Sequence, residues 1–162
     1  MNVTFWDKIM AKLTQQLNST QSVVPPKTLK EPPPVKVIAK ADSGASRHYF
    51  RATDIQALKR VRFDPNGPTV HLPNNETITS TVTGQLPFSD KLSTSARQAH
   101  VFNDLHSASL VSLGQLCDDD CTIFLHKDFH YVFKSNKLLV TGTRNKSDGL
   151  WDIPLTRNDP KL

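Results

Sequence analysis

Apolar and polar positions change rhythm twice along this chain. In the first segment, Phe5, Ile9, Met10, Leu13 and Leu17 recur at helical spacing, which predicts a short amphipathic helix over Thr4 to Leu17. Thr4 is placed to cap it, with Asp7 in the first turn. Asn18 to Pro34 loses all periodicity and is polar and proline-rich, the composition of an extended linker. From Val35 the period is two. Val35, Val37, Ala39 and Ala41 alternate with Lys36, Ile38 and Lys40, which predicts a strand running into the turn residues Asp42-Ser43-Gly44.

The rest of the chain reads as short strands separated by turn signals. Pro65-Asn66-Gly67-Pro68 is a strong turn. Thr69 to Leu72 and Thr77 to Thr83 predict two strands joined through Pro73-Asn74-Asn75-Glu76, and β-branched threonines favour the pleated surface. Gly84 and Pro87 mark the next expected bend. Further strands are expected at Ala99 to Leu105, Leu110 to Leu113, Thr122 to Leu125, Tyr131 to Phe133, Leu138 to Thr141 and Leu150 to Leu155. Gly114 to Asp120 is expected to hold a turn of helix, and His126 to His130 a hairpin connection. Many short strands between turns predict an all-β barrel or sandwich. The division expected is 1–34 for the helix and linker, 35–155 for the barrel domain and 156–162 for a tail.

Composition narrows the function classes. The chain has 162 residues, room for one domain, and its 37% hydrophobic content suffices only for a small core. Five of the 11 prolines fall between Pro25 and Pro34, which reinforces the linker assignment. The net charge of +5 favours acidic partners, but the basic residues are scattered without a dense run, which argues against nucleic acid as a partner of this domain. The first apolar stretch is broken by Asp7, Lys8 and Lys12, so no signal peptide is read there. No apolar run is long enough to span a membrane. The Asn-x-Ser/Thr triplets at Asn2, Asn18, Asn75 and Asn145 are then read as chance, and a cytoplasmic setting or an intracellular virus-like particle is expected.

Asp42-Ser43-Gly44-Ala45-Ser46 occurs once, and a carboxylate on a tight Ser-Gly turn suits an aspartic protease that must borrow its second aspartate from another chain. By itself such a triplet is a common turn. It is followed in order by the Thr- and Asn-rich hairpin, by Ala108-Ser109-Leu110-Val111-Ser112-Leu113-Gly114-Gln115-Leu116-Cys117-Asp118-Asp119-Asp120-Cys121, by Gly142-Thr143-Arg144-Asn145, and by Asp148-Gly149-Leu150-Trp151. Together, over Val35 to Leu155, these resemble the protease-region β-barrel of copia-type LTR-retrotransposon polyproteins, in the variant of diatoms and related microalgae.

The resemblance implies a closed retropepsin-like β-barrel with a short helix and a homodimeric aspartic endopeptidase that processes a polyprotein without a cofactor or metal. Asp42 matches the catalytic aspartate, Ser43 the hydroxyl that braces the two loops across the dimer, and Gly44 the glycine of the turn. The hairpin Val70 to Thr83 sits where the substrate-covering flap belongs, which makes Val70, Leu72, Asn74, Asn75 and Ile78 the substrate-binding candidates. Leu113-Gly114 matches the apolar-glycine pair that supports the catalytic loop. The chain departs from the family at Lys40, where an apolar residue is usual, at the flap tip Asn74-Asn75, which lacks glycine, and in the long segment after Cys121-Thr122-Ile123-Phe124. In such a dimer one aspartate takes a proton from water while its protonated partner polarises the scissile carbonyl.

Other constellations compete. Cys117, Cys121, His126 and His130 have knuckle-like spacing, but no glycine lies between them for the tight turns, so no metal site is expected. Asp118-Asp119-Asp120 lacks the spaced ligands of a calcium loop. His48 and Tyr49 are expected at a strand edge, and Trp151 and Ile153 as core anchors. The alternatives to a protease are a non-catalytic β-barrel interaction module and a nucleic-acid-binding remnant.

Overall fold

The computed structural model describes residues 35–157 together with Ala11. The expected helix Thr4–Leu17 and the proline-rich linker lie outside the described residues, apart from Ala11, which is helical. The chain divides into two units, Met1–Pro33 and Pro34–Leu162.

Of the described residues 48% are in strands and 13% are helical, which places the fold in the all-β class. The strands are β1 (Val35–Asp42), β2 (His48–Arg51), β3 (Lys59–Phe63), β4 (Thr69–His71), β5 (Thr77–Thr79), β6 (Val82–Gln85), β7 (Gln98–Phe102), β8 (Leu110–Ser112), β9 (Thr122–Leu125), β10 (Phe129–Lys134), β11 (Lys137–Thr143) and β12 (Asp152–Arg157). A 3-10 helix (Ala52–Ala57) and two short helices, α1 (Thr94–Arg97) and α2 (Leu113–Cys117), punctuate them. Ser93 and Ser112 cap these two helices, each accepting a backbone N–H from three residues on.

A seven-stranded sheet in the order β12-β1-β8-β2-β7-β6-β3 curls into a half-barrel. A three-stranded sheet β11-β10-β9 and the β4-β5 hairpin complete the unit. The position of β8 is the topological feature that builds the site. It runs parallel to β1 and antiparallel to β2, between two strands joined by the Asp42 turn. Register puts Lys40 beside Leu110, Ala41 beside Val111 and Asp42 beside Ser112.

The period-two reading of β1 holds. Val37 and Ala39 are buried while Lys36 and Ile38 are exposed. The main core gathers Val37 and Ala39 of β1, Phe50 of β2, Ala99 and Val101 of β7, Val111 of β8, Leu116 of α2, and Ile153 and Leu155 of β12. A second cluster unites Ile78, Phe102 and Leu105, with Tyr49, Val70 and Leu72 packed against it.

Four expectations change. The strand expected over Thr77 to Thr83 is two strands in two sheets. Ser80, buried, donates its N–H to the Pro68 carbonyl and its hydroxyl to the Val82 carbonyl, and this interrupts the run between β5 and β6. Gly84 is inside β6 rather than at a bend, and close approach is what suits glycine there: a Cβ would press on Leu58 Cβ and Cδ1 at 3.0 and 3.1 Å. His48 and Tyr49 are not at an edge, since β2 lies between β7 and β8. The final strand is Asp152–Arg157 rather than the expected Leu150 to Leu155.

Candidate active site around the Asp42 turn

β1 ends on Asp42, and the chain then reverses through Ser43 to Arg47 into β2. Asp42 Oδ1 accepts the backbone N–H of Gly44 at 2.7 Å and that of Ala45 at 3.2 Å. A carboxylate accepting two backbone donors is fixed in direction. Oδ2 forms no hydrogen bond among the described residues. Gly44 matters here for close approach rather than for positive φ: a Cβ would stand 3.3 Å from Asp42 Oδ1. Ser43 is exposed, and its hydroxyl has no partner among the described residues.

A buried network beneath the turn holds it in place. Ser112 Oγ donates to the Ala45 carbonyl at 2.6 Å and accepts the N–H of Gln115 at 3.0 Å. Gln115 in turn accepts the His48 N–H through Oε1 and donates through Nε2 to the Ser95 and Gln98 carbonyls. His48 Nδ1 accepts the Ser112 N–H at 2.9 Å, so the ring carries its proton on Nε2 and donates it to the Ala96 carbonyl at 2.8 Å. Burial pushes the His48 pKa down to about 4, which keeps the ring neutral. Leu113 and Gly114 open α2 behind the turn, with Leu113 buried. Of the residues expected from the sequence at the site, Asp42, Ser43 and Leu113 line one cleft, Gly44 lies on the Asp42 turn, and Gly114 follows Leu113 in α2.

The substrate-binding candidates form a separate group. Val70 pairs with Ile78 across the β4-β5 hairpin. Their side chains and Leu72 pack on Phe102, Leu105 and Tyr49 rather than standing free. Tyr49 meets Phe102 edge-on at 5.5 Å and links this cluster to the Asp42 turn through its hydroxyl, 2.7 Å from Ser46 Oγ. Asn74 and Asn75 are exposed at the tip. Asn75 has φ of 66°, so it supplies the left-handed position for which glycine is the usual residue.

On the β9 and β12 side, a cleft of about 240 Å³ opens beside Asp42 and Ser43. Its walls are Lys40, Ala41, Leu110, Leu113, Leu125, Leu150 and Trp151. Lys40 does not present a free charge to it. Its ammonium lies 2.6 Å from Asp148 and 2.5 Å from Asp152. Burial opposes that charge, but the two carboxylates outweigh it and raise the Lys40 pKa above the ordinary lysine value. Lys40 holds the Asp148 carboxyl below the usual range. Trp151, expected as a core anchor, is half-buried on this cleft. Its Nε1 donates to the His126 carbonyl, and Arg144 stands over its ring at 4.6 Å. Ile153 is the core anchor of the pair.

Sequence reasoning missed His48, Ser112 and Gln115 as the supports of the turn. Ser112 and Gln115 lie inside the Leu110–Leu116 motif, so the signal was present. Nothing local marks Leu125 or Leu150 as neighbours of Asp42. Among the described residues no three His, Cys, Asp or Glu side chains converge as a metal site. Cys117 is exposed, Cys121 is buried, and His130 Nε2 lies 2.9 Å from the Asp152 carbonyl. Asp119 is drawn to Lys134, whose hydrogen bond lowers its pKa. No helix among the described residues is long and apolar enough to cross a membrane.

No protein-family model, curated protein or solved structure matches the chain.

Proposed function

We propose that the chain is one half of a retropepsin-like aspartic endopeptidase, as its resemblance to copia-type polyprotein proteases implies, and that it cuts extended polypeptide as a homodimer. The observation that carries this reading is the state of Asp42. One oxygen is fixed by the Gly44 and Ala45 N–H groups, the other is unbonded among the described residues, and both sit on a turn braced from below by Ser112. A turn aspartate serving only as a cap has no need of an open oxygen over a buried, fully bonded support.

A single carboxylate cannot both activate water and protonate the leaving amine in the same step. Two can, if a second Asp42 is brought to contact distance. Like charges there cannot both ionise, so the pair titrates as a unit and holds one proton between them. The ionised member takes a proton from water, the protonated member polarises the carbonyl, and the roles reverse to release the amine. On this reading the substrate is an extended peptide bound as an added strand.

The test is cleavage of a mixed peptide library by concentrated protein from acidic to neutral pH, beside Asp42→Asn. Cleavage by the wild type, best at mildly acidic pH, and a loss of at least a hundredfold in the variant are expected. Equal cleavage by both proteins would refute the role of Asp42. Silence from a folded, dimeric wild type would leave a β-barrel interaction module.

A further inference from the structure

We infer that β3 is a docking edge for an extended acidic peptide, which adds to the seven-stranded sheet as a further strand. The inference does not depend on the role proposed for Asp42. In the sheet order β8, β2, β7 and β6 separate β3 from β1, whose last residue is Asp42.

β3 is one end of the sheet. Among the described residues it pairs with β6 alone, and each of its residues from Lys59 to Phe63 is exposed. Its free side carries backbone groups that can take a partner. Asp64, next after the strand, donates its N–H to the Thr81 carbonyl. Hydrogen-bonded and non-hydrogen-bonded pairs alternate along an antiparallel ladder, so Phe63, opposite Val82, turns its N–H and C=O away from β6. The β3-β6 register shifts between Lys59 and Arg62, with Arg60 at φ of 49°, so the regular edge on offer is centred on Arg62 and Phe63. Charged side chains alone would blunt such an edge against aggregation. β3 also exposes Val61, at 42%, and Phe63, at 72%, more than any other large hydrophobic among the described residues. A bare phenyl ring on a free edge invites pairing rather than preventing it.

The charge selects the partner. Lys59, Arg60 and Arg62 are all cations of this one short strand, and none forms an ion pair or a side-chain hydrogen bond among the described residues. The carboxylate next along the chain, Asp64, accepts the Asn66 N–H at 3.0 Å and pairs with none of them. A second copy of β3 would set these cations against themselves, and like charges directly opposite destabilise a strand pair. Single-stranded nucleic acid would meet the charge but no platform of stacked rings, since Phe63 is the one aromatic residue of β3. A peptide strand bearing Asp or Glu meets every feature of the edge. It bonds the outward N–H and C=O of Phe63, covers the ring with its own apolar residues and sets carboxylates beside Arg62 and its neighbours.

The experiment is fluorescence anisotropy of labelled probes with the full chain, in an Asp42→Asn background so that no peptide is consumed. The probes are a short peptide of alternating glutamate and valine, its lysine-for-glutamate counterpart, the glutamate peptide methylated at its backbone nitrogens, and oligouridylate RNA. The background protein is compared with added Arg62→Glu, Phe63→Ser or Phe63→Pro and, as a control, Lys146→Glu, an exposed lysine between β11 and β12. Near-ultraviolet circular dichroism checks that each is folded. The glutamate peptide should bind, more weakly as salt rises. Arg62→Glu should weaken it by roughly tenfold or more, and Lys146→Glu should leave it unchanged. Phe63→Pro, which removes the outward N–H as well as the ring, should weaken it more than Phe63→Ser. A folded protein that binds no glutamate peptide overturns the proposal, and if its self-association is lost in Phe63→Ser, a second copy covers the edge instead. Folded Arg62 and Phe63 variants that bind like the background overturn the location. A methylated peptide that binds equally well overturns strand addition, and RNA or the lysine peptide bound as tightly overturns the choice of partner. Cleavage by the wild type bears on Asp42 and not on this edge, so the two readings fail separately.

Discussion

The carboxylate of Asp42 is aimed by its own turn, but the turn is held by residues far away in sequence. Ser112 is the clearest case. Its one hydroxyl ties the Ala45 carbonyl to the Gln115 N–H in a fully buried setting. Ser112→Ala leaves both groups without that partner and should cost about 1–3 kcal/mol of stability, read by urea denaturation. A larger drop in cleavage than in stability at low urea would mark a positioning role. His48 gives the pH dependence. Its folded pKa, about 4, lies below the ordinary value of 6.5, so the unfolded chain binds the extra proton first as pH falls. Stability should therefore decline from pH 6.5 to 4 by about 3 kcal/mol from this residue and level off below. Burial lowers His100 and His130 as well and adds to the same slope. Denaturation midpoints against pH would show it, and a flat profile across that window would contradict it.

Individual elements are fixed by close approaches that apolar periodicity does not encode. Gly84 lets β6 lie against Leu58, and Gly142 lets β11 lie under the Asp152 carbonyl and the His130 ring. A methyl at Gly84 meets mainly a side chain, which can shift. At Gly142 it meets backbone. Gly84→Ala should thus cost about 1–3 kcal/mol by overpacking, and Gly142→Ala more, with the order of the two denaturation midpoints as the check. Lys40 clamps β1 to β12, where it faces Asp152 in register, and to the Asp148 loop. Removing one partner of a partly buried pair leaves the other uncompensated. Lys40→Met should be destabilising, and less so when combined with Asp152→Asn, with a coupling of about 0.5–3 kcal/mol in the double-mutant cycle.

For the molecule as a whole, the proposed sharing of catalysis between two chains predicts that activity depends on assembly. Below the dimer dissociation constant, the cleavage rate should rise with the square of total protein, and above it linearly. A linear rate down to the lowest measurable concentration, with monomer confirmed, would rule out a shared site.

The alternating residues of β1, the turn at Asp42 and the Leu110–Leu116 motif each stated their local structure, because period, turn chemistry and capping are short-range properties. That is why the all-β class and the turn that carries Asp42, Ser43 and Gly44 were legible before any coordinates. The β4-β5 hairpin was legible as a hairpin, but not the packing of Val70, Leu72 and Ile78 with Phe102 and Leu105, since burial depends on what the opposite face meets. The split of Thr77–Thr83 at Ser80 and the interior place of Gly84 depend on Pro68 and Leu58, outside the local window. Sequence by itself determined which segments extend, where the chain turns and which carboxylate sits on the turn. The tertiary structure alone decided that β8 passes between β1 and β2, that His48, Ser112 and Gln115 hold that carboxylate, and that Leu125 and Leu150 stand beside it, because strand order and long-range contacts are chosen by packing among residues that carry no mark of one another along the chain.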